Sequence, residues 1–520
     1  MINAPSGRAE PARGPQTAFW VAWTVVLAAK FLLAMQLAPF GDEAWYWQES
    51  RHPGWGYSDL PPATAWLIAL GEAVGGHGTL GMRLPFLILG ALLPLQIVRL
   101  GQRLFGANDG WYAGLLTLAL PLTGTLGLFA LPDVPLTMAS VLALSAFERA
   151  AATCRLRYWL ILGIALGVAW LCHYRAAMLM LTGAVFLCMP RGRGLWRAPG
   201  LWVALALSLL GLAPTLFFNA MHGWVALGFQ VVERNPWSFH ADALVQPIEQ
   251  ALVCTPLFYV LLLWAAWRCV RRMREGAPYD LLAVSALVPI LGYFVLGCFA
   301  DDTRFRLHWP LPGYLPLLLL LPAMLRELGA PLQRLLRWSA FGMLTLGSAC
   351  AFAYLTLAAL PDGAMLLAGA KAFPEHMVGW REAVAKTREL LATRDESLLV
   401  ADNFMLAAEL DFAFDGTRPV YVLDHPINTK HGRAPQLAQW QRDESALREL
   451  GLRKALLIAE PSARRERERA AWMQSLCRRL AGLRPEASLD LYGGRTRLRW
   501  FSGFSGADDV GDTDCGVAGN

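Results

Sequence analysis

Long uninterrupted apolar runs decide first what this chain can be. They can be bracketed at 18–40, 80–98, 111–131, 134–152, 158–171, 176–189, 201–218, 251–267, 281–299, 315–325 and 338–360. A helix that crosses a bilayer needs roughly 20 mostly apolar residues, and the shorter runs here must borrow flanking polar positions or thin the bilayer locally. The chain is 55% hydrophobic and only 17% charged, where soluble domains carry about 25% charged residues. Disordered, fibrous and small disulfide-scaffold classes are excluded. The expected fold is an α-helical polytopic membrane protein of about eleven transmembrane helices with a C-terminal α/β domain.

Charge sets the orientation. The stretch 158–189 reads either as one long helix or as two short ones broken at His173-Tyr174-Arg175. With two helices and a cytoplasmic N-terminus, Arg191, Arg193, Arg197, Arg268, Arg271, Arg272 and Arg274 all lie inside; one merged helix puts them outside, against the positive-inside rule. Two helices are therefore expected, with 1–17 in the cytoplasm, 18–360 as the membrane domain and everything after 360 outside. The first run is too long for a signal-peptide core and lacks a small-residue cleavage site, so it stays as a helix.

Residues 361–505 change to a mixed, charged and periodic pattern. The β-like runs 397–401, 419–423 and 454–459 alternate with helical stretches near 405–414 and 464–480, and 489–500 reads as a hairpin around Gly493-Gly494. The Gly- and Asp-rich tail 506–520 reads as disordered. The cysteines form no C-x-x-C pair and read as small hydrophobes. A net charge of +6 is what cytoplasmic loops of a membrane protein require, so nucleic acid is not implied.

The outer loops are rich in acids, and depletion of Lys and Arg outside accounts for most of that. Three features resist it. Gly41-Asp42-Glu43-Ala44-Trp45-Tyr46-Trp47 places two carboxylates beside three aromatics at the end of the first helix. An aromatic belt explains the rings but not the paired acids, and low dielectric there makes one carboxylate a plausible proton acceptor. Pro132-Asp133-Val134-Pro135 sets an isolated acid next to hydrocarbon, either as a cap of the fourth helix or as a second working carboxylate. Arg304-Phe305-Arg306-Leu307-His308-Trp309-Pro310 is the densest cationic cluster outside, suited to phosphate unless it only neutralises Asp301 and Asp302. His173, Arg175, His222 and Arg234 add donors, and Lys30, inside the first run, needs a partner or cavity.

The same segments carry a resemblance. Gly-Asp-Glu-Ala-Trp-Tyr-Trp from Gly41, Gly54-Trp-Gly-Tyr-Ser-Asp-Leu-Pro-Pro, Arg83-Leu-Pro, Pro132-Asp-Val-Pro, His173-Tyr-Arg, His222-Gly-Trp, His308-Trp-Pro and Ala401-Asp-Asn-Phe resemble the polyprenyl-phosphate-sugar-dependent glycosyltransferases of the protein O-mannosyltransferase and aminoarabinose transferase type, which have the GT-C fold. The resemblance implies an enzyme of the inner membrane. It would take a sugar from a polyprenyl (undecaprenyl) phosphate donor and pass it, with inversion, to a periplasmic acceptor such as lipid A or lipopolysaccharide, a glycan or a protein.

By the same resemblance Asp42 is the main catalytic carboxylate, with Asp133 and Glu43 beside it. Tyr57, Asp59, Arg83, His173, Arg175, Arg234, Arg304, Arg306 and His308 are expected to bind substrate. The aminoarabinose enzyme has a Lys where this chain has Leu60, which moves carrier-phosphate binding towards Arg83, Arg304 or Arg306. No loop has metal-ligand spacing, so neither metal nor cofactor is expected. A transporter or flippase is the competing reading. Transporters show internal repeats and polar residues at mid-membrane depth, whereas the polar clusters here lie at one face.

Overall fold

The computed structural model describes residues 13–235, 237–299, 307–393 and 397–506. Each apolar run except 111–131 and 251–267 becomes a helix or the major part of one. In chain order the helices used below are α1 (Arg13–Gln36), α2 (Gly41–Arg51), α3 (Ala63–Gly75), α4 (Thr79–Phe105), α5 (Ala107–Ala119), α6 (Asp133–Thr153), α7 (Leu156–Cys172) and α8 (Ala176–Cys188). They continue as α9 (Pro199–Met221), α10 (Gln246–Cys254), α11 (Pro256–Arg272), α12 (Tyr279–Gly297), α13 (Leu311–Arg326) and α14 (Ala330–Ala359). Among the described residues, α1, α4, α6, α9, α12 and α14 are long and apolar enough to cross a membrane, and α3, α7, α8 and α13 are shorter apolar helices. The protein is a membrane-embedded, multispan helical bundle.

α13 runs through the centre of the bundle. Leu317 to Leu321 are wholly buried against α4, α5, α11, α12 and α14, which is why a run as short as 315–325 is apolar on every side. α7 and α9 pack through Gly167 and Gly211, where a Cβ on Gly211 would stand 2.3 Å from the Gly167 Cα. Small residues let helices approach in lipid, where apolar burial alone gives little drive.

The structure corrects three sequence expectations. The run 111–131 is not one helix: it breaks at Leu120-Pro121 and continues as a single helical turn, Pro121–Gly124, and then irregular chain. Such backbone survives at depth only when its polar groups find partners. Lys30 Nζ donates to Leu126 O at 2.7 Å and Ser348 Oγ to Ala119 O at 2.7 Å, and this gives the buried lysine its role. The run 251–267 begins before a sharp bend, because the segments Ala241–Cys254 and Pro256–Glu275 meet at 113° around Thr255. Thirdly, α3 adds an apolar helix outside the bracketed runs, with Trp66, Leu70 and Val74 exposed. The break at His173-Tyr174-Arg175 is present between α7 and α8.

Arginine ion pairs gather at one end of the bundle, with Arg103 to Glu148, Arg191 to Asp280, Arg326 to Asp109, and Arg268 and Arg272 to Glu327. The opposite end carries α2, α3 and a sheet domain. Its strands are β1 (Leu398–Ala401), β2 (Val420–Val422), β3 (Lys454–Ala459), β4 (Ala481–Leu491) and β5 (Thr496–Phe504), in the order β2-β1-β3-β5-β4. β1 is parallel to β2 and β3, while β5 runs antiparallel to β3 and β4. The hairpin turns at Tyr492–Gly494, with longer strands than the sequence pattern gave. Helices α15 (Trp380–Leu391), α16 (Phe404–Ala413), α17 (Pro426–Lys430), α18 (Ala434–Gln439) and α19 (Glu466–Leu476) complete the α/β domain. Cys477, just past α19, is disulfide-bonded and so departs from the reading of every cysteine as a small hydrophobe.

Candidate active site

α2 is the element on which the site is built. The chain leaves α1, extends through Phe40 and turns into a helix whose first turn holds Asp42 and Glu43, where the helix dipole favours acids. The Glu43 carboxylate accepts from the Phe40 N–H at 2.9 Å and the Ala130 N–H at 2.6 Å. It also accepts from Arg83, Nε at 2.9 Å and Nη2 at 2.7 Å. Arg83 spends its remaining donors on the carbonyls of Ala34, Leu37 and Ala38, and both side chains are fully buried. The geometry thus gives Glu43 and Arg83 to a clasp that ties α1, α2, α4 and the irregular chain before α6 together. Glu43, expected to be catalytic, and Arg83, expected to bind phosphate, are placed in this buried clasp.

The aromatics of α2 form no lipid-facing belt. Trp45 and Trp47 are fully buried against the sheet domain, Trp45 on Phe404 and Trp440 with ring centroids 5.5 and 5.2 Å away, Trp47 on Phe412 at 5.3 Å. Gln48 Nε2 donates to Asp411 Oδ2 at 2.9 Å. α2 and α16 thereby share one apolar core that also includes Leu410 and Trp500.

One side of α2 and the loop after it form an acidic cluster. Asp42, Glu49 and Asp59 surround the guanidinium of Arg433, with Nη2 3.2 Å from Asp42 Oδ1, Nη1 3.7 Å from Glu49 Oε1, and Nη1 in contact with Asp59 Oδ2. Asp42 is the open member: its side chain is 27% exposed, against 1% for Glu49 and 4% for Asp59. Burial, the Asp59 charge and a hydrogen bond with Asp59 push the Glu49 carboxyl well above its ordinary range. Tyr57, expected to bind substrate, donates its hydroxyl to Glu49 O at 2.8 Å and folds the loop onto α2.

Arg433 comes from the sheet domain, and nothing in its local sequence marks it. The usable signal was an imbalance: the four acids of the first loop region, Asp42, Glu43, Glu49 and Asp59, with Arg51 as the nearby base, need cations from elsewhere. The turn after α17 supplies it. Gly432 sits at φ +66°, where its Cβ would strike the Phe229 ring at 2.7 Å, and its carbonyl accepts from Ser58 Oγ at 2.5 Å. The left-handed residue reverses the chain and aims Arg433 at α2.

A second cluster forms at the N-terminus of α6. Arg175 Nη2 donates to Asp133 Oδ1 at 2.5 Å, and His308 Nε2 lies 3.3 Å from the same oxygen. Asp133 makes no helix-capping hydrogen bond, so the capping reading gives way to this ion pair. The guanidinium carbons of Arg175 and Arg234 both stand 5.7 Å from the Trp309 ring centroid. His173 Nδ1 accepts from the Arg175 N–H at 3.1 Å, which leaves the proton of the neutral ring on Nε2. Thus Asp133, His173, Arg175, Arg234 and His308, far apart in sequence, come together. His222 instead stacks on Phe218, its Nδ1 against Phe218 O at 2.8 Å. Arg304 and Arg306 lie outside the described residues.

Gln230 joins the clusters. Its Nε2 donates to Asp59 O at 2.7 Å, and its Oε1 accepts from Arg234 Nη1 at 3.4 Å. Below the second cluster, α6, α7, α8, α9, α12 and α13 enclose an apolar cavity of about 190 Å³, lined by Ser140, Phe147, Leu166, Met180, Pro289 and Pro312 among others. An open carboxylate, a cationic group and an apolar recess suit a reaction on an amphiphilic phosphate.

The family model of dolichyl-phosphate-mannose-protein mannosyltransferases matches residues 59–218. The lipid A galacturonosyltransferase RgtD of Rhizobium johnstonii is 24% identical over 399 residues, 74% of this chain and 79% of that protein. A polyprenol-phosphate-mannose–protein mannosyltransferase of Mycobacterium tuberculosis is 27% identical over 225 residues, 42% of this chain and 40% of that protein. The crystal structure of ArnT from Cupriavidus metallidurans bound to undecaprenyl phosphate superposes with a TM-score of 0.66 at 17% identity, covering 98% of this chain and all of that one. These likenesses fit the transferase reading and not the transporter one. The chain has the GT-C fold, and the proteins it resembles in sequence are membrane glycosyltransferases.

Proposed function

We propose that this glycosyltransferase takes its sugar from a polyprenyl-phosphate-linked donor, undecaprenyl phosphate in a bacterial membrane, and passes it to an acceptor at the outer face of the inner membrane. The observation that carries this reading is the bridge by Gln230 between the Asp59 main chain, in the cluster that holds the open Asp42 carboxylate, and Arg234, in the cationic group with Arg175 and His308 above an apolar cavity. The names of the relatives support the donor class, and the lipid A galacturonosyltransferase favours a lipid A or related glycolipid acceptor over a protein.

The carrier chain enters sideways from the bilayer and lies along the apolar cavity. Its phosphate sits against Arg175 and Arg234, where Asp133 holds Arg175 in place and His308 adds a donor. Fixed cations at the leaving phosphate stabilise the charge that develops as the bond breaks. The acceptor hydroxyl gives its proton to Asp42, and its oxygen attacks the anomeric carbon. The bond from that carbon to the phosphate oxygen breaks, and polyprenyl phosphate departs. A single displacement inverts the anomeric centre.

Residues 18–360 form the membrane domain in this reading, and residues 361–505 stand in the periplasm as a domain that closes over the site. The disulfide at Cys477 supports an oxidising compartment for that domain, and the arginine pairs at the opposite end support a cytoplasmic face there. Release of free polyprenyl phosphate from a labelled donor by the purified protein tests the reading. Intact donor after long incubation with an acceptor lipid extract would refute it.

A further inference from the structure

We propose that Arg433 is a positioning residue of the transfer reaction: docked from the sheet domain, its guanidinium orients the Asp42 carboxylate and balances its charge, so the active site is complete only when the two parts of the chain are joined. This rests on the proposed function, in which Asp42 receives the acceptor proton.

Arg433 is 3% exposed although it sits on a turn. Its guanidinium is enclosed by rings as well as acids, with centroid distances of 5.0 Å to Trp45, 5.2 Å to Tyr46 and 5.5 Å to Phe404. Among the described residues, the charged and titratable groups facing it are Asp42, Tyr46 and Glu49 from α2 and Asp59 from the following loop, while α16 presents the Phe404 ring. Burial and the nearby acids hold the Tyr46 phenol neutral, its proton affinity raised well above the usual range. Glu49 is likewise driven towards its protonated form. Asp42 and Asp59 stand beside the same guanidinium, that of Arg433.

Domain attachment does not explain such a residue. Trp45, Trp47, Phe404 and Leu410 already form a shared apolar core, and Ser58 bonds the sheet domain twice, through Oγ to Gly432 O and through its N–H to Gln436 Oε1 at 2.9 Å. A buried charge among acids is a poor glue, because its desolvation offsets most of the attraction. It is a good way to hold carboxylates ionised and in register. Planar donors that reach three acids at once make arginine, not lysine, the fitting side chain.

Without the guanidinium, Asp42 and Asp59 repel each other in a closed site, so Asp42 binds a proton more tightly and the acidic limb of kcat/KM moves to higher pH. The test is that pH profile for full-length Arg433→Gln, Arg433→Lys and the double variant Arg433→Gln with Asp59→Asn, each with an intact melting transition. The expected result is a limb shifted upward by one unit or more in Arg433→Gln. Arg433→Lys should shift it less, and the double variant should return it towards the wild-type position, since the carboxylate that Arg433 balanced is gone. Should Arg433→Gln fail to fold, the lysine and double variants decide the matter alone. Activity lowered equally at every pH, with the limb unmoved, overturns the inference and leaves Arg433 as attachment only. A wild-type protein that releases no polyprenyl phosphate overturns the proposed function and this inference with it, whereas an active wild type with unmoved limbs overturns this inference alone.

Discussion

Arg83 grips Glu43 through two parallel hydrogen bonds, Nε to Oε1 at 2.9 Å and Nη2 to Oε2 at 2.7 Å, and neither side chain is exposed to solvent. Removing one partner strands a buried charge, at a cost of about 3–5 kcal/mol. Glu43→Gln and Arg83→Ala are therefore expected to lower the melting temperature in detergent sharply, with activity falling in proportion to folded protein. A stable Glu43→Gln protein that has lost turnover would return Glu43 to the catalytic set.

Arg175 and Asp133 predict a different signature. Arg175→Ala leaves Asp133 without its main partner and weakens the cationic group beside Trp309. Donor kcat/KM should fall by about 2–5 kcal/mol, the range for breaking a buried, hydrogen-bonded charge pair. Arg175→Lys recovers only part of it, because a point charge does not reproduce the planar fork. Titration of labelled donor measures this, and unchanged donor kinetics in Arg175→Ala would move the phosphate elsewhere.

The sheet domain should lose stability as pH rises above neutrality. Burial and the nearby Asp402 push the Glu460 carboxyl up to about 8, and burial does most to raise Glu409 well above the usual carboxylate range. A raised carboxyl binds its proton more tightly when folded, so its stabilisation is full below the unfolded pKa and is lost as pH climbs through the folded one. Glu460 alone accounts for about 2 kcal/mol between pH 6.5 and 8.5. Melting temperature is expected to fall across that window, and Glu460→Gln to flatten the fall. A melting temperature that rises with pH would contradict the assignment.

Much of the fold was legible because apolar run length and arginine placement are one-dimensional signals. The arginines after Met189 and Trp267 require the break at His173-Tyr174-Arg175 that separates α7 from α8. The interrupted run 111–131 was not legible, since its irregular chain is stabilised by Lys30 and Ser348, which are distant in sequence. The acids of the site were visible as residues out of place near hydrocarbon, but their division of labour was not. Glu43 and Asp42 are neighbours on one helix turn, and only the position of Arg83 makes one a buried strut and leaves the other open. Arg433 arrives across nearly four hundred residues of chain, so only the charge imbalance of the first loop hinted at it.

The orientation makes its own prediction. A reporter fused after Asn520 should be active only when it is of the kind that works in the periplasm, because the sheet domain follows the last long apolar helix on the face opposite the arginine pairs. Activity of a reporter confined to the cytoplasm would invert the bundle and detach the site from the outer leaflet.

The most direct test of the central claim is release of polyprenyl phosphate from a labelled lipid-phosphate sugar donor by purified wild-type protein and by Asp42→Asn. The substitution removes charge from the one open carboxylate of its cluster while keeping its shape. The wild type should turn over, and Asp42→Asn should fold normally, bind donor and release at least about a thousandfold less product, a barrier of about 4 kcal/mol. Near-normal turnover by Asp42→Asn at saturating donor would contradict the account.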